Sequence, residues 1–146
     1  MGNTAVIHGF EYDWLASDTT EHVAFLSTAG GGHVPELCLR DLDLHEEAIT
    51  QLLALPTTTT ALFFPKLPAH VSNTWKQVAE RGVFAFDSDA FGGPYRLVAA
   101  PYLPILTDAL PPLASALARK QRLHVQFAGT AIIPADLLVE TLQSGV

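Results

Sequence analysis

One segment of the chain combines a run of glycines with polar side chains: residues 28–33 read Thr-Ala-Gly-Gly-Gly-His. Glycines let backbone N–H groups point at an oxyanion, so Thr28, Gly31 and His33 are candidate ligand-binding residues. The spacing differs from the dinucleotide-binding fingerprint, and no Gly-Lys-Ser/Thr follows as in a phosphate-binding loop. The alternative interpretation is a turn that redirects the chain, because glycine favours turns.

Other residue types that could do chemistry do not form a recognisable motif. The sequence has six histidines and one cysteine, and no two histidines lie within the roughly four residues typical of paired zinc ligands. No Gly-x-Ser-x-Gly motif is present. We therefore expect no catalytic residue, no metal and no cofactor. A small ligand-binding or hydrolytic domain that uses the glycine segment stays open as the alternative, because a catalytic triad is recognised by geometry.

Carboxylates cluster in the turns of two predicted hairpins. Residues 87–89 and Gly92 resemble the start of a calcium loop, but the twelfth position is Val98, where that loop needs glutamate. Turn formation is one interpretation of these acids, and a surface for a basic protein is the other. The candidate partner-binding residues are Asp13, Asp18, Glu21, Asp87, Asp89 and Tyr95.

Composition limits the class of partner. The chain has 146 residues, with 8 basic and 15 acidic residues and a formal net charge of −7. This charge argues against nucleic acid as the partner and favours a basic protein. Only 16% of the residues are charged and 49% are hydrophobic, which favours an apolar surface patch and makes a homodimer possible.

Compartment can also be inferred from the sequence. A lone Cys38 in an apolar setting predicts a buried thiol in a reducing compartment. The N-terminus lacks the basic and apolar regions of a signal peptide, and no apolar run approaches the roughly 18 residues that span a bilayer. We therefore expect a cytoplasmic protein with no membrane partner.

Hydrophobic periodicity predicts a single α+β domain over residues 1–146. Its mainly antiparallel sheet has about five to six strands built from two hairpins, with about four helices packed on it. The first hairpin carries apolar residues on both faces of both strands, which favours a place inside the sheet. The hairpins are expected at residues 12–28 and 83–100, further strands at 61–64 and 122–128, and helices at 44–55, at 73–81, from Pro111 and from Pro134.

Helix ends are predicted from residue type. Asp43 and Glu46 have the spacing of a capping box, Ser72 is expected as an N-cap, and Gly82 is expected to end a helix in the left-handed conformation. Trp14 and Trp75 are interpreted as core residues.

Two stretches carry a resemblance to known proteins. The first combines Asp-Trp-Leu-Ala-Ser-Asp at residues 13–18, His-Val-Ala-Phe-Leu-Ser-Thr-Ala-Gly at 22–30 and then Pro35. The second combines Arg-Gly-Val-Phe-Ala-Phe-Asp at 81–87 with Tyr-Arg-Leu-Val-Ala-Ala-Pro at 95–101 and Leu-Pro-Pro at 110–112. Together they resemble a loose group of small uncharacterised bacterial proteins that look like cytoplasmic immunity proteins. The resemblance implies a non-enzymatic inhibitor that binds and neutralises a cognate secreted toxin, and it implies no catalytic residue. The acidic net charge favours a basic toxin.

Overall fold

The computed structural model describes residues 12–28, 34–63, 73–88, 94–134 and 137–138. The strands are β1 (Asp13–Ser17), β2 (Val23–Ser27), β3 (Ala61–Phe63), β4 (Phe84–Asp87), β5 (Tyr95–Pro101) and β6 (Ile132–Ile133). The α-helices are α1 (Glu36–Arg40), α2 (Leu42–Leu53), α3 (Thr74–Ala79) and α4 (Pro112–Lys120), and two 3₁₀ helices cover Thr107–Ala109 and Phe127–Gly129. No described helix combines the length and the apolar character needed to cross a bilayer.

The six strands form one mixed sheet of an α+β domain, which confirms the predicted fold class. The strand order is β1-β2-β4-β5-β3, and β6 pairs with β5. Both predicted hairpins are present as antiparallel pairs. The pair β2–β4 is parallel, because the chain passes through α1, α2, β3 and α3 before it returns beside β2.

Two hydrophobic clusters lie on opposite faces of the sheet. Successive side chains of a strand point to opposite faces, so Trp14 joins one cluster and Leu15 joins the other. Residues of α1 and of the C-terminal segments cover the first face. Residues of α2, α3 and α4 cover the second face. The apolar residues on both faces of the first hairpin are thus explained by a sheet that is covered on both sides.

β1 is an edge strand of the sheet, so the prediction that the first hairpin lies inside the sheet and not at its edge is wrong. Its outer edge is nevertheless covered. The backbone N–H of Ser17 donates to the Gln121 carbonyl at 3.0 Å, and the N–H of Leu123 donates to Ser17 at 2.8 Å. The N–H of Leu15 donates to His45 Nδ1 on α2 at 3.0 Å. These bonds satisfy edge groups that would otherwise attract another chain.

The segment 122–128 is not the strand that its alternating pattern predicts. Leu123 and Phe127 are buried and their neighbours are more exposed, as expected. The segment forms only an isolated bridge from Arg122 to Ser17 and then a 3₁₀ turn. The reason is that the backbone groups after Leu123 pair with a turn and a side chain instead of a neighbouring strand. The N–H of Thr19 donates to the Val125 carbonyl, and the Asp18 carboxylate accepts from the Phe127 N–H.

The N-terminal end of α2 differs from the predicted one. The helix begins at Leu42, with Asp41 as an N-cap whose side chain makes no capping bond. The prediction of a capping box formed by Asp43 and Glu46 is therefore wrong. Asp41 instead accepts from Lys120 Nζ at 3.0 Å, and the short helix α1, which was not predicted, fills the preceding residues.

The ends of α3 follow the expected chemistry more closely. Its N-cap is Asn73, whose Oδ1 accepts from the Lys76 N–H at 2.8 Å, and the predicted cap Ser72 lies outside the described residues. Gly82 has φ +93° directly after the helical turn, as predicted. Of the last predicted helix, Leu137 and Leu138 are helical.

Candidate functional site

Polar side chains form a row across one end of the sheet. In the register of the strands Asp13 pairs with Ser27, Ser27 with Asp87, and Asp87 with Arg96. Directly paired residues present their side chains on the same face, so this row lies on the face that carries α2, α3 and α4. The row marks the point where the apolar core ends and a polar surface begins.

A first cleft opens between β1 and α2. We call it the acidic cleft; it has a volume of about 210 Å³ and is lined by Tyr12, Asp13, Leu42, Asp43, Glu46 and Ile49. Among the described residues that line it, three are carboxylates and none is basic. Asp43 and Glu46 stand three apart on α2, which places them on one face of the helix. The cleft therefore presents negative charge from two elements that are distant in sequence.

A second cleft lies on the other side of Asp13. We call it the tryptophan cleft; it has a volume of about 170 Å³ and is lined by Asp13, Phe25, Ser27, Asn73, Thr74 and Trp75. Asp13 is exposed and Trp75 is half-buried. Both clefts share Asp13, so the first residue of β1 forms the boundary between them.

His45 fixes α2 relative to β1, the two elements between which the acidic cleft opens. The residue is 2% exposed, and its Nδ1 accepts the N–H of Leu15. Because burial disfavours the charged ring, the pKa of His45 falls to about 4. The neutral imidazole therefore acts as a structural hydrogen-bond acceptor, and it links the helix that carries Asp43 and Glu46 to the strand that begins at Asp13.

Asp18 is fully buried, so its predicted place on a partner-facing surface is wrong. Its Oδ1 accepts from the N–H and hydroxyl of Thr20 and from the N–H of His22. Its Oδ2 accepts from the N–H of Phe127 at 2.8 Å. The carboxylate closes the β1–β2 turn and ties it to the C-terminal segment.

Glu21 lies at the surface but is engaged by neighbouring residues. Its backbone φ is 68°, and its carboxylate pairs with Arg122, accepts the Thr107 hydroxyl at 2.5 Å and lies 3.9 Å from Arg119 Nε. The hydrogen bond from Thr107, followed by that from Arg122, lowers the pKa of Glu21. Glu21 thus connects the first turn to the 3₁₀ helix that precedes α4 and to the end of α4.

The second predicted hairpin contributes less surface than expected. Tyr95 is 1% exposed, so the prediction of an exposed tyrosine is wrong. Its hydroxyl accepts from Trp14 Nε1 at 3.1 Å, and the two rings meet edge to face. Asp87 is half-buried in the polar row, and Asp89 lies outside the described residues.

The glycine segment begins at a structural threonine. Thr28 is fully buried, and its hydroxyl accepts from the Tyr12 N–H at 2.9 Å while its own N–H donates to the Tyr12 carbonyl. These bonds extend the β1–β2 pairing by one residue. Gly31 and His33 lie outside the described residues, so their ligand-binding role stays a prediction.

Burial also explains the shifted pKa values of the Cys38 thiol and the Tyr95 phenol. Desolvation raises the pKa of Cys38 and that of Tyr95 far above their usual ranges. Cys38 is a buried free thiol, as predicted. Neither side chain, nor that of His45, lines either cleft. Within the described part of the chain, no group of three His, Cys, Asp or Glu side chains is arranged to hold a metal ion.

The sequence interpretation missed three residues of the site. Asp43 and Glu46 were assigned to a helix cap and Trp75 to the core. Trp75 does pack against the second cluster, yet it also lines a cleft. The three-residue spacing of two carboxylates on an amphipathic helix was the available signal, but only the tertiary structure shows that they face Asp13.

Comparison of the chain with known proteins found no matching family model, no matching curated protein and no matching solved structure.

Proposed function

We propose that this chain is a non-enzymatic protein-binding domain, an immunity-type inhibitor that neutralises a bacterial toxin by covering its functional surface. The observation that carries the proposal is the position of Asp13 between two adjacent clefts on an acidic surface. Basic side chains of the partner enter the two clefts, and the rest of the contact surrounds them.

The size of the clefts favours a protein partner over a small molecule. Their volumes of about 210 and 170 Å³ are below the roughly 300–1,000 Å³ of pockets that enclose a drug-sized ligand. Each is better suited to one protruding side chain. Two such clefts side by side match a folded partner that inserts neighbouring side chains.

Charge supports a basic partner. The chain carries a net charge of −7, and Asp13, Asp43 and Glu46 concentrate negative charge at the acidic cleft. Complementary charge accelerates association with a basic surface and disfavours acidic competitors. Binding is also favoured over catalysis, because His45, Cys38 and Tyr95, whose pKa values burial shifts strongly, are in the core.

The toxin is proposed as the partner because residues 13–18 and 22–30 with Pro35, and residues 81–87, 95–101 and 110–112, carry the resemblance to immunity-like proteins described above. The test is to co-express the chain with each secreted effector encoded beside its gene. We expect one effector to co-purify with the chain, and we expect that effector to lose its toxicity in cells that also express the chain. Lack of any complex, and of protection from each of these effectors, would contradict the proposal.

A further inference from the structure

We infer that the outer edge of β3 is a self-association surface, on which β3 of a second copy of this chain pairs antiparallel in a register centred on Leu62. β3 lies at the opposite edge of the sheet from β1. Within the described ranges, no residue hydrogen-bonds to the side of β3 that faces away from β5. A sheet edge of this kind is a template for another strand.

The pairing of β3 with β5 determines which backbone groups face outward. The N–H of Tyr102 donates to the Thr60 carbonyl at 2.9 Å, and the two residues lie opposite each other in the continued register of the strands. Hydrogen-bonded and non-hydrogen-bonded pairs alternate along an antiparallel ladder. The backbone of Leu62 therefore bonds to β5, whereas the N–H and C=O groups of Ala61 and Phe63 point away from the sheet.

These outward groups are complementary to a copy of themselves. In a pair centred on Leu62, Ala61 lies opposite Phe63 of the partner subunit, and the same pair recurs on the other side of the two-fold axis. Each pair exchanges two hydrogen bonds, so the outward groups of both copies are satisfied. The ladder does not extend to Thr59, because its N–H already donates to the Glu80 carbonyl at 3.1 Å.

Exposed apolar side chains lie beside this edge. Leu62 is 46% exposed and Tyr102 is 67% exposed. Leu62 pairs with Ala100, which belongs to the first hydrophobic cluster, so Leu62 extends that face to the edge of the sheet. In the proposed register the two copies of Leu62 form a non-hydrogen-bonded pair, in which side chains approach most closely. Tyr102 lies on the same face at a diagonal position. Pairing therefore removes apolar surface of both copies from water.

Charge favours a second copy over the basic partner of the proposed function. Residues 57–63 and 101–107 contain no charged side chain, so this edge offers no carboxylate to a basic surface. Two copies with a net charge of −7 repel each other, and an uncharged strip lets them approach with less repulsion. The acidic cleft lies beside β1, at the other edge of the sheet. The dimer therefore leaves that cleft open and does not depend on the proposed function.

Self-association is expected to be weak because the contact is small. A three-residue strand offers less than the roughly 1,200–2,000 Å² of a standard stable interface, and we expect a dissociation constant of about 100 μM. Sedimentation equilibrium of the full chain is measured from about 10 to about 500 μM. The weight-average mass should rise from 15.7 kDa toward twice that value. A mass that stays at that of one chain over this range would overturn the inference.

Salt distinguishes this contact from one between charged surfaces. Screening reduces the repulsion between two acidic copies, so raising the salt from about 50 to about 500 mM should strengthen self-association by about twofold or more. Binding of a basic toxin has the opposite dependence, so failure of the dimer and failure of the proposed function give separate results. Self-association that weakens with salt would contradict a contact at the uncharged edge.

Matched leucines assign the contact to β3. Leu62→Lys places like charges directly opposite each other and should weaken self-association by about tenfold or more. Leu44→Lys makes the same change at a leucine that is 43% exposed on α2 and should leave it unchanged. A mixture of Leu62→Lys and Leu62→Asp chains should associate more strongly than either variant alone, since opposite charges then meet at the axis. Equal effects at Leu62 and Leu44, or no gain in the mixture, would contradict the register.

A cysteine at the axis captures the dimer directly. Leu62→Cys brings two Cα atoms to about 4.5 Å in the proposed pair, inside the roughly 4.4–6.8 Å of disulfides. Native Cys38 is 1% exposed and should not react. Under mild oxidation, followed on non-reducing gels, Leu62→Cys should form covalent dimers at least about fivefold faster than Leu44→Cys. Equal rates for the two variants would overturn the inference.

Discussion

At the residue scale, Asp18 shows how a carboxylate in a turn can serve folding instead of binding. It accepts four hydrogen bonds at zero exposure. Its position between a strand and Thr-Thr correctly predicts a turn. Its burial could not be predicted, because the burial depends on Phe127, which lies 109 residues away in sequence.

Replacement of Asp18 by alanine should destabilise the fold strongly. The change leaves the buried N–H of Phe127 and three turn donors without their acceptor, and each unsatisfied buried group costs about 1–3 kcal/mol. We expect the free energy of unfolding to fall by about 3 kcal/mol in urea denaturation. Asp108→Ala, at an exposed acid, should stay within about 0.5 kcal/mol of wild type. Equal stability of the two variants would contradict the role given to Asp18.

His45 should make stability depend on acid pH. Its pKa is about 4 in the native state and about 6.5 when unfolded. A depressed native pKa means that the unfolded state binds the proton first. The stability supplied by neutral His45 is therefore complete above about pH 6.5 and is lost as the pH falls toward 4.

The matched variant is His45→Asn, which keeps an acceptor near the position of Nδ1 but has no titratable group. It should be less stable at pH 7, because the side chain is smaller. Its loss of stability between pH 7 and 4.5, measured by urea denaturation, should be smaller than that of wild type by about 2 kcal/mol. Parallel pH profiles for the two proteins would show that His45 does not titrate as described.

At the scale of elements, local sequence predicted the two hairpins and the end of α3 well. Turn residues and alternating apolar positions act over a few residues, so they are visible in the sequence. Residues 122–128 have the same alternation but pair with a turn and a side chain. Alternation there predicted burial correctly and strand structure incorrectly, since a strand also needs a strand as its neighbour.

Gly82 offers an element-scale prediction. Its φ of +93° is unfavourable for other residues, and an added Cβ would lie 2.7 Å from the backbone nitrogen of Ile105. We expect Gly82→Ala to lower the free energy of unfolding by about 3 kcal/mol. Gly129→Ala is the matched control, because nothing lies within 4 Å of the added Cβ, and it should be neutral or stabilise by about 0.5 kcal/mol. A similar loss in both variants would contradict this explanation.

At the scale of the whole molecule, the sequence predicted the fold class but not the sheet order. Consecutive strands of a hairpin pair by proximity, whereas the parallel pairing of β2 with β4 depends on how the intervening helices pack. The candidate site likewise depends on how elements that are distant in sequence pack together. Asp13, Glu46 and Trp75 come from β1, α2 and α3, so only the packing of these elements brings them to adjacent clefts.

The central claim is that the acidic cleft binds a basic protein, and two neighbouring residues of α2 test it directly. Glu46 and Glu47 are both exposed glutamates on the same helix, but only Glu46 lines the cleft. Each is changed to lysine, and the dissociation constant of the co-purified toxin is measured at one fixed salt concentration. We expect Glu46→Lys to weaken binding by about tenfold or more, because it places like charges together, and Glu47→Lys by less than about threefold. Equal effects of the two variants would show that net charge, and not the acidic cleft, determines binding.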